Sequence, residues 1–140
     1  LGAFIADKTI MDAFTDNPVL GHINTFGGHP VCCAAGMASM EFLLDKNLAK
    51  AALKKEKLFK KYLKDIPEIR AIRSRGLMMT IEFENAEKRQ KVNDQLLNRG
   101  IFTEWFLFDP KSMRITPPLT ITPGEIKYAC KKIQEVAAAL

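Results

Sequence analysis

The stretch Gly76-Leu-Met-Met-Thr-Ile-Glu-Phe83 decides how the second half of this chain is expected to fold. Every second side chain of the stretch after its first glycine is a large apolar one, and this two-residue period predicts a strand with one buried face. Gly76 indicates a bulge or a close backbone approach where the strand begins. Arg73 and Arg75, which come just before it, are interpreted as a solvent-exposed start of the strand.

Helices and further strands are predicted on both sides of this strand. Pro30 suits the first position of a helix, and Thr122 and Glu125 have the spacing of a capping box at the start of another. In the first third of the chain we predict a strand at Leu1–Ala6, a helical turn at Lys8–Phe14, a loop at 15–21 and a helix at Val31–Leu44. Further helices are predicted at about Leu48–Lys64 and at Ala86–Arg99, and two strands at 101–108 and 113–116 around a turn at Asp109-Pro110. The last helix has on its inner side Ile126, Ala129, Cys130, Ile133, Val136, Ala137 and Leu140.

The order of these elements predicts a fold class between α/β and α+β. The helix at Val31–Leu44 carries small or apolar residues almost all round, which is typical of a helix buried on most sides. Residues 1–44 are therefore interpreted as part of a layered α/β unit. Residues 45–140 are interpreted as a small α+β domain with an open, mostly antiparallel sheet covered by helices. Because Leu1–Ala6 reads as the middle of a buried strand, we expect the chain to begin inside a larger protein.

Composition and charge narrow the function classes. The chain has 140 residues, of which 47% are hydrophobic, and no apolar run approaches the roughly 20 residues that a membrane helix needs. Its net charge of +5 is concentrated in the lysine-rich helix at residues 50–65. We interpret the lysines of the Lys50–Lys64 face as a solvated helix face, since no arginine or aromatic cluster accompanies them. The sequence thus predicts neither a nucleic-acid nor a membrane partner, although an anion-binding role of this face stays open.

The cysteines indicate a reducing compartment. There are three, and Cys32 and Cys33 are adjacent while Cys130 is distant. An odd number without framework spacing is typical of free thiols, so a cytoplasmic location is expected. His29 beside the cysteine pair lacks a second pair of ligands, and no metal site is predicted.

The loop Asn24-Thr-Phe-Gly-Gly-His-Pro30 carries chemistry suited to an anion. Asn24 and Thr25 offer side-chain donors, and the glycine pair lets the backbone come close to a ligand. Free amides at the start of the next helix favour a phosphate. The same residues are also ordinary in loops, where Asn24 or Thr25 would simply cap the backbone, and spacing alone does not choose between the two.

Arg114 is a second candidate binding residue. It lies in the apolar segment Met113–Thr116, just before the rigid Pro117-Pro118 pair, and an arginine in such a strand requires a carboxylate or phosphate partner. It could clamp a substrate carboxylate with its guanidinium fork. It could equally form a structural salt bridge, or face water at a sheet edge. Trp105 and Phe106 are possible pocket residues for which core packing is the preferred interpretation.

Taken in order, these motifs resemble the C-terminal part of class III aminotransferases. The ordered set comprises "LGAFIA", "NTFGGHPVCCAAGMASMEFLL", "RGLMMTIEF", "RGIFT" and "MRITPPLTIT", and the resemblance covers nearly the whole chain. The class includes the acetylornithine, ornithine and 4-aminobutyrate aminotransferases, which are enzymes of fold type I that use pyridoxal 5'-phosphate (PLP). The resemblance implies that residues 1–44 end a PLP-binding large domain and that residues 45–140 form the C-terminal small domain.

The resemblance also implies roles for individual residues. Thr25 would bind the PLP phosphate across a homodimer interface, with Asn24 as a helper. Arg114 would meet the carboxylate of an amino acid or 2-oxo acid substrate, or pair with a glutamate that shields it. The family's Schiff-base lysine precedes the segment that matches Leu1–Ala6, and Lys8 does not match it. The chain by itself is therefore expected to be an inactive fragment, without a catalytic residue of its own.

Two alternatives to an aminotransferase remain at this stage. One is another PLP reaction on the same scaffold, such as that of an aminomutase or a decarboxylase. The other is a stand-alone anion-binding module that uses the Lys50–Lys64 face.

Overall fold

The computed structural model describes residues 2–17, 19, 21 and 23–140 of the chain. It divides into two compact units, Leu1–Lys46 and Asn47–Leu140, which we call unit 1 and unit 2. Each unit is described by itself.

The described residues of unit 1 form two α-helices. Helix α1 spans Lys8–Met11 and continues into a 3-10 turn at Asp12–Phe14, and helix α2 spans Pro30–Asp45. Asp7 caps α1, because its carboxylate accepts a hydrogen bond from the Thr9 amide at 2.9 Å. Pro30 stands in the first turn of α2, as predicted from its fixed φ and its missing amide hydrogen.

Two predictions for unit 1 are wrong in this chain. The strand expected at Leu1–Ala6 does not form over residues 2–6, and Leu1 lies outside the described residues. Helix α2 forms where it was expected but is not buried: Val31, Met37 and Leu44 are all exposed. The physical reason is the same in both cases. An isolated strand cannot satisfy its backbone, and a helix that is apolar all round needs neighbours that unit 1 does not supply.

Unit 2 is built on a four-stranded antiparallel sheet with the strand order β1-β2-β4-β3. The strands are β1 (Ala71–Arg75), β2 (Met78–Glu82), β3 (Glu104–Phe106) and β4 (Asp109–Ile115). The sheet is open and antiparallel, as predicted, but strand β1 was not foreseen: Arg73 and Arg75 belong to it and not to the approach to β2. Gly76 lies between these two strands with φ +60, so it forms their turn and not a bulge.

One face of the sheet forms the core together with three helices. These are α3 (Leu48–Leu63), α4 (Ala86–Leu97) and α5 (Pro123–Ala137). Residues paired across the two central strands, Met79 with Ile115 and Ile81 with Met113, all turn to this face and are buried. The predicted capping box of α5 is present, with Thr122 and Glu125 bonded to each other's backbone. The helices contribute the buried residues Ala52, Phe59, Leu63, Val92, Leu96, Ile126, Cys130, Ile133, Val136 and Ala137.

Several local predictions for unit 2 need correction. The turn of the second hairpin falls at Leu107–Phe108, so Asp109 and Pro110 already belong to β4. Trp105 is 47% exposed and Phe106 36% exposed, so neither is packed in the core. Strand β3 has only three residues and pairs on one side only, which leaves these aromatic rings at the sheet edge. Two residues expected on inner helix faces, Leu97 and Leu140, are likewise exposed.

Candidate functional site

The candidate phosphate loop of unit 1 is a turn that presents Thr25 to solvent. Residues 25–28 form the turn, which is closed by hydrogen bonds from Gly27 N to Asn24 O at 3.4 Å and from His29 N to Phe26 O at 3.2 Å. Within the described part of the chain, the Thr25 hydroxyl has no hydrogen-bond partner. It is exposed and free to donate to a ligand.

The two glycines of this loop each have a structural reason. Gly28 has φ +73, a left-handed backbone conformation that residues other than glycine rarely adopt. A Cβ atom built on Gly27 would lie 3.0 Å from both terminal atoms of the Asn24 amide. A side chain at position 27 would therefore require the Asn24 amide, which folds over the turn, to shift by a few tenths of an ångström. Asn24 and Gly27 also border a cavity of about 580 Å³, together with Phe14, Thr15, Asp16, Val19 and Ile23.

The loop leads directly into the start of α2, where amide hydrogens point out of the helix. His29 precedes the helix without capping it through its side chain. The arrangement therefore offers an uncapped helix start, a free hydroxyl and a turn without side chains at two positions. These donors fit a dianionic phosphate, which requires several hydrogen-bond donors and no single deep pocket.

Arg114 occupies the middle of unit 2, on the sheet face away from the helices. The register places Arg73, Thr80, Arg114 and Glu104 opposite one another in a single row across all four strands. The Arg114 guanidinium forms an ion pair with the Glu104 carboxylate through Nη2. The two side chains are 44% and 46% exposed. An ion pair this exposed contributes at most about 1 kcal/mol, so a ligand carboxylate can compete with Glu104 for the arginine.

A cavity of about 710 Å³ opens beside this ion pair. Arg114 and Glu104 supply its charged wall, and the loop at residues 116–122 and the first turns of α5 supply another side. The Thr103 hydroxyl, which also borders the cavity, is buried without a hydrogen-bond partner in the described residues. A cavity with a half-exposed arginine, a buried free hydroxyl and apolar walls is suited to a small carboxylate-bearing molecule.

A second charged cluster lies at the other end of the same sheet face. Arg73 donates to Glu82 at 2.6 Å and to Asp109 at 2.9 Å, and Lys111 contacts the other oxygen of Glu82 at 2.6 Å. Hydrogen bonds from Lys111 and Arg73 lower the pKa of Glu82, and a bond from Ser112 lowers the pKa of Asp109. All the charges of this cluster are paired among themselves, which favours a structural role.

The predicted site residues fall into two groups. Asn24 and Thr25 lie in one turn of unit 1, and Arg114 lies in unit 2. Sequence reasoning missed Glu104, the partner of Arg114. The hairpin pairing would have revealed it, because residues facing each other on neighbouring strands share a face, but the turn was expected two residues too late.

Neither a metal-binding cluster nor a membrane-spanning helix is present in the part of the chain that can be described. Its His, Cys, Asp and Glu side chains form no group of three able to hold a metal ion. None of the helices seen over the same residues is long and apolar enough to cross a membrane.

The family model for class-III aminotransferases matches residues 1–137, and the chain belongs to this family. Among solved structures, the ornithine aminotransferase of Toxoplasma gondii is 30% identical, with a TM-score of 0.77 over 93% of this chain and 31% of that one. That of Plasmodium yoelii is 26% identical, with a TM-score of 0.73 over 86% of this chain and 33% of that one. Adenosylmethionine-8-amino-7-oxononanoate aminotransferase of Methanocaldococcus jannaschii is 28% identical, with a TM-score of 0.71 over 86% and 30%.

These comparisons confirm the family and the fold expected from the sequence. The chain spans about a third of the length of each of the three structures. Class III aminotransferases use PLP, and the Toxoplasma gondii structure is described with partial occupancy of PLP at its active site.

Proposed function

We propose that this chain is part of a PLP-dependent aminotransferase that moves an amino group between an amino acid or amine and a 2-oxo acid. The observation that carries the proposal is the family match over residues 1–137, which includes both the loop of Thr25 and the strand of Arg114. In this proposal residues 1–44 end the cofactor-binding domain and residues 45–140 form the small C-terminal domain. Three free cysteines agree with a cytoplasmic enzyme.

Thr25 is the proposed ligand of the cofactor phosphate, with Asn24 beside it. The Thr25 hydroxyl donates to a phosphate oxygen, and the uncapped start of α2 adds a favourable dipole. In a homodimer this loop serves the active site of the partner subunit. When bound, PLP supplies an electron sink for the negative charge that develops at the amino-bearing carbon. The contribution of this chain is to hold and orient the phosphate end.

Arg114 is the proposed carboxylate-binding residue. Its guanidinium is positioned by the central strand β4, and one side of it is held by Glu104. A substrate carboxylate would replace Glu104 in a two-bond contact with the guanidinium. Glu104 thereby screens the arginine while no carboxylate is bound, at little cost because the ion pair is half exposed.

The 140 residues by themselves are proposed to be inactive. None of them matches the lysine that holds the cofactor in this family. A purified 140-residue chain supplied with PLP, an amino donor and a 2-oxo acid should give no product amino acid above a blank. Turnover that persists after contaminating enzymes have been removed would contradict this.

The phosphate role of Thr25 is tested in the protein made from the complete reading frame that encodes these residues. Thr25→Ala should weaken PLP binding by roughly ten- to hundredfold, since a hydrogen bond to a charged group contributes about 1.5–3 kcal/mol. Thr25→Ser retains the hydroxyl and should restore most of the affinity. Ser39→Ala, which removes an exposed hydroxyl of α2, is the matched control. Unchanged PLP affinity of Thr25→Ala, with normal melting of the apoprotein, would show that Thr25 is only a loop residue.

A further inference from the structure

The loop that follows Arg114 is fixed by a lysine from another element. This loop, residues 116–122, connects β4 to α5, and we call it the proline loop after Pro117 and Pro118. The Lys55 ammonium, on helix α3, donates to the carbonyl oxygen of Leu119 at 2.5 Å. Lys55 is only partly exposed, unlike its neighbour Lys54, which is exposed and has no described partner.

The proline loop forms a wall of two cavities. Thr116 and Pro117 border both the 710 Å³ cavity beside Arg114 and a 450 Å³ groove on the α3 side. Leu119 borders that groove, at the point where Lys55 holds the backbone. A displacement of this loop therefore changes the shape of the Arg114 cavity.

Within the described residues, the other attachments of the proline loop do not tie its middle to another element by a side-chain hydrogen bond. Leu119 and Ile121 pack against the core, and the Ile121 amide closes a turn onto the Pro118 carbonyl at 3.0 Å. Apolar packing determines how deeply these two side chains are buried but not the orientation of the loop backbone. The bond between Ile121 and Pro118 is internal to the loop. The capping box of Thr122 and Glu125 holds only the last residue of the loop, at the start of α5. The Lys55 bond ties the middle of the loop to α3. A charge-assisted bond to a carbonyl is directional and stronger than a neutral one.

We propose that Lys55 is a positioning residue for substrate recognition: it holds the proline loop, which begins two residues after Arg114, so that this loop keeps its place as a wall of the cavity beside Arg114. This rests on the proposed carboxylate role of Arg114. Lys55 does not touch the substrate. Its loss should lower the affinity for the carboxylate end of a substrate and leave the chemical step almost unchanged.

The test compares two substrates that differ only in the carboxylate. In the protein from the complete reading frame, kcat and KM are measured for 4-aminobutyrate and for n-butylamine with a common 2-oxo acid. Lys55→Met retains the aliphatic stem but removes the donor, and should raise KM for 4-aminobutyrate by roughly three- to tenfold, with kcat within about twofold and little change for n-butylamine. Lys55→Arg retains a donor and should lie near the wild type. Lys54→Met is the matched control and should have no effect.

A second readout does not depend on activity. Hydrogen exchange of the backbone amides in residues 116–122 should be faster in Lys55→Met than in the wild type or Lys54→Met. Unchanged exchange and unchanged KM in Lys55→Met would overturn the proposal, as would equal losses with both substrates. Arg114→Lys in parallel separates the two claims. If it fails to discriminate between the substrates, the carboxylate role of Arg114 is wrong and the proposal falls with it. If it discriminates and Lys55→Met does not, only the role of Lys55 is wrong.

Discussion

Helices α2 and α5 are similar in length and start but differ completely in burial. They have 16 and 15 residues, and each carries a proline in its first turn. Helix α5 buries five residues against the sheet of unit 2, whereas α2 buries none. The difference lies in the pattern: α5 has one apolar face, while α2 has small or apolar side chains all round. An amphipathic helix is satisfied by a single neighbouring surface, but a helix like α2 requires cover on several sides.

The same contrast separates the candidate sites. Arg114 lies on a sheet whose other face is a complete core, so its position is determined within unit 2. The loop of Thr25 precedes a helix that this chain leaves exposed. A site of the first kind can be analysed from these residues alone. In the proposed assignment of residues 1–44 to a cofactor-binding domain, a site of the second kind would be completed by further residues of that domain.

The contrast between buried and exposed helices can be tested with one phenylalanine from each, and here we expect the greatest loss of stability. Phe59 is 1% exposed in the core of unit 2, and Phe42 is 48% exposed on α2. Phe59→Ala should lower the free energy of unfolding of the 140-residue chain by about 3–5 kcal/mol, because it leaves a cavity. Phe42→Ala should cost about 0.5 kcal/mol or less. Urea denaturation of both variants measures this.

The same Phe42→Ala substitution should have a different effect on stability in the protein from the complete reading frame. There we expect the cofactor domain to cover α2, so the cost of Phe42→Ala should rise well above its value in the 140-residue chain. Equal costs of Phe42→Ala in both proteins would mean that α2 stays exposed, and the proposed domain assignment would be wrong.

A carboxylate of α3 provides the next test. Glu56 accepts hydrogen bonds from Lys60 at 2.8 Å, from Ser74 at 2.7 Å and from the Gly76 amide at 2.8 Å, and these bonds lower its pKa to about 2. Glu56→Gln should lower the free energy of unfolding by about 1–2 kcal/mol at neutral pH. Because the folded pKa lies below the unfolded one, this stabilisation is present above about pH 4.5 and is lost as the pH falls towards 2.

Urea denaturation between pH 7 and pH 3 would follow the contribution of Glu56. The difference between wild type and Glu56→Gln should shrink as the pH falls below about 4.5. Glu87→Gln, which removes a carboxylate from an exposed pair with Lys91, is the control and should cost less than about 0.5 kcal/mol. A constant difference at all pH values would show that Glu56 does not tie α3 to the β1–β2 turn.

Two glycines of unit 2 should give small changes in stability of opposite sign. Gly76 has φ +60, and a Cβ there would meet Ala52 at an ordinary 3.6 Å, so Gly76→Ala should cost about 1 kcal/mol through backbone strain alone. Gly124 lies in the first turn of α5, and the nearest atom to its Cβ would be 3.9 Å away. Gly124→Ala should therefore stabilise the chain by about 0.5 kcal/mol. Thermal melting of the two variants should show shifts of opposite sign; shifts of the same sign would contradict the assignment of Gly76 to a strained turn.

The sequence predicts the elements that depend on short local patterns, and it misses those that depend on pairing between distant residues. Helices α3 and α5, strand β2, the capping box and Pro30 follow from short patterns, and the structure confirms them. Strand β1 was missed because its residues, Ala71–Arg75, are mostly polar and acquire their strand through pairing with β2. The pairing of Arg114 with Glu104 depends on the exact register of a hairpin, which composition does not determine. The roles of Thr25, Asn24 and Arg114 remain predictions.

The central claim, that Arg114 recognises a carboxylate in an aminotransferase, is tested most directly by Arg114→Lys in the protein from the complete reading frame. The substitution retains the charge beside Glu104 but loses the two-bond fork. For 4-aminobutyrate, the transition-state stabilisation calculated from kcat/KM should fall by about 2–4 kcal/mol, which is the scale of a disrupted charge pair. The loss for n-butylamine should be much smaller. Equal losses for both substrates would show that Arg114 is structural, and no loss for either would show that Arg114 and its pair with Glu104 take no part in recognition.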